Sequence, residues 1–170
     1  MKRRTLPAAA AGGLACPAVA RAQAGWPDRP IRLVVPFAAG TSTDIIGRLV
    51  AAQLSRGLGG VPAPVDNRAG AGGSIAALHV AQQPPDGATL LLSTIGTHAV
   101  NPHLMRDLQY DPMRDFTPVV AHSRTRILLV VRPQLGPRTM AEFLDLARAR
   151  SVSVASPGTG TTGHLGHALL

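Results

Sequence analysis

The chain has 170 residues, a formal charge of +8 and one cysteine, and only 3% of its residues are aromatic. That length can bury one ordinary core, while so few aromatic faces for stacking bases argue against reading the charge as a nucleic-acid footprint. A single cysteine excludes an internal disulfide framework and a cysteine-based zinc site.

Met1-Lys2-Arg3-Arg4 is basic, Leu6 to Ala20 is small, apolar and uncharged, and Ala20-Arg21-Ala22 and Ala22-Gln23-Ala24 are small-x-small cleavage sequences. This order is that of a secretory signal peptide over residues 1–24, and the apolar run is too short to span a bilayer. Export to the periplasm is the expectation. Removing the leader takes Cys16 and four cations with it, so the formal charge falls from +8 to +4 and every remaining cation is arginine. No later stretch is long and apolar enough to cross a membrane.

Ile31-Arg32-Leu33-Val34-Val35 predicts a strand covered on both faces, as in a parallel α/β sheet. The small-residue loop Pro36 to Thr43 follows, ending in hydroxyl residues that can cap a helix from Asp44 to about Leu58. Its expected inner rows are Ile46, Val50, Leu54 and Leu58, with Ile45, Leu49 and Ala52 beside them. Strand, tight loop and helix N-terminus together make a shallow site that favours an anion, and a small carboxylate suits its near-neutral side chains. Asp44 could meet a ligand amine or stabilise the helix start.

The pattern repeats, with a strand at Val61 to Val65, the loop Asn67 to Gly73 and a helix from Ser74 to about Gln82 burying Ile75, Leu78 and His79. Pro84-Pro85-Asp86-Gly87 is a turn by its residue types, and Thr89 to Ser93 is a third strand. Strands alternating with helices imply crossovers and a parallel sheet, with the loops Pro36–Thr43, Asn67–Gly73 and Thr94–His98 on the edge where such sheets take ligands. Asn101 to Val120 reads as irregular, anchored at Tyr110-Asp111-Pro112 and Asp115-Phe116-Thr117-Pro118. Ile127 to Val131 predicts a further buried strand. Thr139-Met140-Ala141-Glu142 is a capping box before a helix whose inner face is Met140, Phe143, Leu144 and Ala147. Ser151 to Ala155 predicts a last strand, feeding the loop Ser156 to Gly163 and a helix near His164.

Taken in order, these residues resemble the periplasmic solute-binding receptors of tripartite tricarboxylate transporters, the Bug receptors. The resemblance rests on Trp26-Pro27-Asp28-Arg29-Pro30-Ile31, Val35-Pro36-Phe37, Gly40 with Thr43-Asp44, and Asn67-Arg68 with Gly70-Ala71-Gly72-Gly73. It continues through Pro85-Asp86-Gly87, Asn101-Pro102, Tyr110-Asp111-Pro112, Asp115-Phe116, and Ser156 with Gly158, Gly160 and His164. It implies an α/β, periplasmic binding protein-like bilobal fold with parallel-rich sheets, residues 25–122 forming the first lobe and 123–170 the start of the second. Family members are longer, so the expectation is a chain lacking the C-terminal portion and binding ligand weakly or not at all by itself.

The resemblance further implies a small carboxylate held between two facing loops and passed to membrane transporter subunits by a monomeric receptor. The expected ligand-binding residues are Phe37, Ala38, Gly40, Thr41 and Thr43 on the first loop, and Ser156, Gly158, Thr159, Gly160, Thr161 and His164 on the facing loop. Thr94, Thr97 and His98 line a third, with His98 either a pocket donor or a packed side chain. Replacing Thr159 or Thr161 by Leu is expected to abolish binding without unfolding.

No reaction, catalytic residue, cofactor or metal is expected. There is no carboxylate pair placed for acid–base work and no G-x-S-x-G elbow. His164 and His167 have metal-compatible spacing but no evident third ligand. Two alternatives stand beside the receptor reading. Gly158-Thr159-Gly160-Thr161-Thr162-Gly163 is a literal GxGxxG that follows a predicted strand and opens a helix, as a dinucleotide site requires, which would suit an NAD-dependent oxidoreductase. A ligand-sensing domain for a membrane signalling protein would use the receptor's own chemistry.

Overall fold

The computed structural model describes residues 25–170; the expected signal peptide, with Cys16, lies outside them. Three short strands, β1 (Arg32–Val35), β2 (Val65–Asn67) and β3 (Thr89–Leu91), form one parallel sheet in the order β2-β1-β3. Leu33 stands opposite Val65 on one side and Leu90 on the other. Because β1 is flanked on both sides and covered on both faces, its apolar run is buried from Leu33 to Val35.

The first helix, α1 (Ser42–Gly57), lies on this sheet, and the core beneath it is Leu33, Val35, Ala51 and Leu92, with Val50, Ala63, Val65 and Leu90 against it. The expected row Ile46, Val50, Leu54 and Leu58 is half-buried, and the flanking Ile45, Leu49 and Ala52 expected beside it are exposed. Asp44, Gly47 and Ala51 face inward. The reason is steric. A Cβ at Gly47 would sit 2.8 Å from Val35 Cγ2, so the missing side chain lets the helix settle on its small-residue side. The helix α2 (Ser74–Ala81) behaves alike, burying Ala76 and Ala77 and exposing Ile75, which was expected inside.

The strand expected at Val61 to Val65 begins only at Val65 and runs to Asn67. Pro62 and Pro64 have no N–H, so they contribute acceptors alone, from Ile31 N at 3.0 Å and Leu33 N at 2.9 Å. Residues 101–120 contain a short helix that sequence reasoning did not give, α3 (Asn101–Leu104), continuous with a π-helical turn at Gly96–Val100. Tyr110 is buried there, its hydroxyl donating to the Thr97 carbonyl at 2.6 Å, and Phe116 meets Tyr110 and His98 edge-on.

Two further α-helices follow, α4 (Met140–Ala149) and α5 (Thr162–Ala168), and short 3-10 turns lie at Ala71–Gly73 and Pro133–Leu135. Thr139 caps α4 by accepting from the Glu142 amide at 3.3 Å, as the capping sequence predicts, although Glu142 reaches back to the Arg138 amide. Of its expected inner face only Phe143 is buried, while Met140 is half exposed. The strands expected at Ile127–Val131 and Ser151–Ala155 do not form. Both stretches are largely exposed and lie along an open groove of about 690 Å³ floored by Phe143. An apolar run becomes a strand only where a neighbour completes its ladder, and no described residue does so here.

Candidate functional site

The C-terminal ends of the parallel strands, where open α/β sheets bind ligands, carry the site. After β1 the chain turns through Gly40, whose φ of +84° suits glycine, and enters α1 with Thr41 as its cap. Thr41 Oγ1 donates to the Ala38 carbonyl at 2.8 Å and accepts from the Asp44 amide at 3.3 Å. Asp44 is buried and fully engaged. Its Oδ2 accepts from the Gly40 amide at 2.9 Å and Arg48 Nε at 3.0 Å, and its Oδ1 from Asn67 Nδ2 at 2.9 Å. Chiefly the Gly40 amide, then Arg48 and Asn67, hold its pKa down at about 2. Asn67 Nδ2 also donates to the Phe37 carbonyl at 3.0 Å. Asp44 and Asn67 therefore lock the first loop to the one after β2, and the carboxylate is occupied as a fastener.

The loop after Ser156 repeats this geometry. Gly160 has a φ of +79°, and Thr161 caps α5, its Oγ1 donating to the Gly158 carbonyl at 2.7 Å and accepting from the His164 amide at 3.3 Å. The Gly160 amide reaches His164 Nδ1 at 3.4 Å, where the first loop uses Asp44. One backbone design, Gly-Thr with an acceptor four residues after the glycine, thus occurs twice.

Between the two loops lies a cleft of about 410 Å³, within the size range of small-molecule sites. Its walls are Phe37, Ala38 and Thr41, the stretch Ala69–Gly73, Met105, and Pro157 to Thr159. None of these side chains is charged. The amides of Ala38 and Thr159 on these walls, and of Ala39 next to Ala38, find no acceptor among the described residues and are free to donate to an anion. The glycine stretch stands close to the facing loop, since a Cβ at Gly72 would lie 2.7 Å from the Thr159 carbonyl oxygen. Next to it Ala71 adopts a φ of +45°, a left-handed conformation uncommon for a residue with a Cβ.

Of the residues expected at the site, Phe37, Ala38, Thr41, Gly158 and Thr159 line this cleft. Gly40, Gly160 and Thr161 shape the loops that form it, and Thr43 is the second residue of α1 and does not line it. Ser156 accepts weakly from the Gly158 amide, and His164 serves Gly160. Thr94, Thr97 and His98 are not brought into the cleft. Thr97 is wholly buried and hydrogen-bonded to Thr94 and to His98 Nδ1, and burial against this loop pushes the His98 pKa down. Their loop reaches the others through backbone, with Gly96 beside the Gly160 and Gly72 carbonyls. Sequence reasoning placed Asn67–Gly73 on the right edge but left out its lining residues, which the run of glycines at a strand end could have signalled. Met105 gave no signal.

The GxGxxG sequence does not meet the dinucleotide context. Residues 151–155 before it are not a strand, and Thr161 and Thr162 already cap and open the helix. Among the described residues no three histidines or carboxylates come together for a metal, and no helix is long and apolar enough to cross a membrane.

The parallel strands and helix-start loops define an α/β fold like that of periplasmic binding proteins. Residues 46–170 match the tripartite tricarboxylate transporter family receptor, and the chain belongs to that family, whose members are periplasmic binding proteins. A UPF0065 protein of the TAR-I ttuE-ttuC' intergenic region of Agrobacterium vitis is 38% identical over 151 residues, which are 88% of this chain and 43% of that protein. A Rhodopseudomonas palustris protein solved with adipate superposes with a TM-score of 0.70 at 44% identity, over 74% of this chain and 42% of that one. MatC of the same organism, solved with bound malate, gives 0.68 at 40% identity, over 73% and 42%. The chain spans about two fifths of the length of the relatives it matches.

Proposed function

We propose that the chain captures a small dicarboxylate non-covalently in the cleft between the Phe37–Thr41 and Pro157–Thr159 loops, as the receptor of a membrane uptake system. The observation that carries this reading is the doubled Gly-Thr loop facing itself across an uncharged cleft, with unpaired amides on both sides. Two like donor sets suit a ligand with two like acceptor groups. Relatives solved with malate and with adipate support the ligand class. In this reading residues 25–122 are the first lobe and 123–170 the start of a second, and the chain performs binding without chemistry. Periplasmic export, a monomeric working state and delivery to membrane subunits rest on the family and on the leader-like residues 1–24.

The test is thermal unfolding of the chain with malate, adipate, acetate and an alkyl amine, each added in excess. Binding to the folded state raises the midpoint by mass action. The two dicarboxylates should raise it and the amine should not. Equal response to all four, or none, removes the reading.

A further inference from the structure

Asn101 is completely buried where three loops meet. Its Nδ2 donates to the Gly72 carbonyl at 3.2 Å and to the Ser74 hydroxyl at 2.9 Å, which fixes the plane of the amide. Its Oδ1 is shut off from water and has no hydrogen-bond partner among the described residues. A buried acceptor without a donor is costly, so one at a packed junction calls for a role.

That oxygen faces glycines on both sides of the cleft. A Cβ at Gly160 would lie 2.8 Å from it, and a Cβ at Gly72 3.3 Å. The Gly160 amide is itself poorly satisfied, because its bond to His164 Nδ1 is 3.4 Å long, beyond the usual N–H range. At the matching position of the first loop the Gly40 amide has a carboxylate at 2.9 Å. The two loops differ at this glycine: in the first its amide is well bonded, while the second sets a weakly held donor beside an unused acceptor.

We infer that Asn101 is a positioning residue for ligand capture. Resting on the proposed carboxylate site, its Oδ1 takes the Gly160 N–H when the Pro157–Gly160 loop settles onto an anion in the cleft. The exchange gives up a long bond and satisfies an orphaned oxygen, so the bound arrangement gains an interaction that the free one lacks. Asn101 does not touch the ligand. It fixes where the Thr159 amide stands when the ligand arrives.

Amide hydrogen exchange at Gly160, followed by NMR on the whole chain, tests this. Without ligand, Asn101→Ala should speed Gly160 exchange modestly over wild type, because the ligand-free protein samples the closed arrangement only in part and the variant does not sample it at all. Ser74→Ala, which removes an Nδ2 partner and leaves Oδ1 in place, should not. With adipate, Gly160 should slow by roughly tenfold in wild type and stay fast in Asn101→Ala. Equal exchange in all three proteins, or the same acceleration in Ser74→Ala, overturns the inference and leaves Asn101 a packing residue. If adipate slows no cleft amide even in wild type, the ligand reading has failed, and the ligand-free comparison decides on Asn101. Should Asn101→Ala not fold, a scalar coupling across the hydrogen bond between the Gly160 nitrogen and the Asn101 side-chain carbonyl decides in wild type. Its presence with adipate supports the assignment, and its absence from adipate-saturated protein overturns it.

Discussion

The contact between the glycine stretch and the facing loop can be broken by one carbon atom. Gly72→Ala places a Cβ 2.7 Å from the Thr159 carbonyl oxygen and 3.3 Å from Asn101 Oδ1, at a φ of +60°. Gly59→Ala is its control, since Gly59 has a φ of +67° and nothing within 4 Å of the added carbon. Both substitutions carry the left-handed strain of an L residue, about 1–2 kcal/mol. Only Gly72→Ala adds a collision with backbone, and overpacking of that kind costs about 1–3 kcal/mol. The difference between the variants isolates the contact, and in a chain of this size about 1–3 kcal/mol lowers the unfolding midpoint by roughly 3–10 °C. Thermal unfolding followed by circular dichroism measures it. Adipate binding should weaken at least roughly tenfold in Gly72→Ala, as expected when an Å-scale displacement separates two halves of a site, and should be unchanged in Gly59→Ala. Equal midpoints and equal adipate response in the two variants would refute the juxtaposition of the loops.

Other expectations follow from the same geometry. Asp44, held at about 2 by the Gly40 amide, Arg48 and Asn67, has a depressed pKa, so its contribution is complete above about pH 4 and is lost as the pH falls through 2. Unfolding midpoints between pH 6 and pH 2 should therefore drop more steeply in wild type than in Asp44→Asn; parallel curves would contradict the assignment. His98, kept neutral by burial, stabilises the fold above the ordinary histidine range, and that contribution is lost as the pH falls through its lowered value. The imidazole resonances of His98 should titrate below those of a free histidine. Ala71→Gly relieves a φ of +45° and should raise stability by about 0.5 kcal/mol, the strain relief exceeding the added chain entropy; chemical denaturation reads this. Trp26 donates from Nε1 to the Asp86 carbonyl at 3.0 Å and packs on Gly87, while Arg29 pairs with Asp86. Trp26→Ala should cost about 1–2 kcal/mol, and an unchanged midpoint would show that this clasp contributes nothing.

Much of the first part of the fold was legible in sequence because each local cue agreed with its neighbours. The apolar run of β1 is flanked by strands on both sides, and Thr41, Thr139 and Thr161 sit where helix caps are required. The register of helix faces was not legible. It is decided by Gly47 and by Ala76 and Ala77, where absent or small side chains permit close approach, so the large residues Ile45, Leu49 and Ile75 turn outward. Ile127–Val131 and Ser151–Ala155 have the composition of strands, but strand formation depends on a partner that composition does not specify. Within the site, loop positions were readable and individual roles were not. Thr159 and Thr161 look alike in sequence, yet Thr159 is exposed in the cleft and Thr161 is a buried cap. Thr159→Leu is the variant that should block binding and leave the fold intact, whereas Thr161→Leu removes a cap and lowers stability as well.

The cleft itself is tested most directly by titrating the isotope-labelled chain with adipate while following the backbone amides of Ala38, Ala39 and Thr159. The account predicts that all three shift together along one saturable curve, because one ligand spans both loops. Shifts confined to one loop, or amides that stay still at saturating adipate, would contradict it.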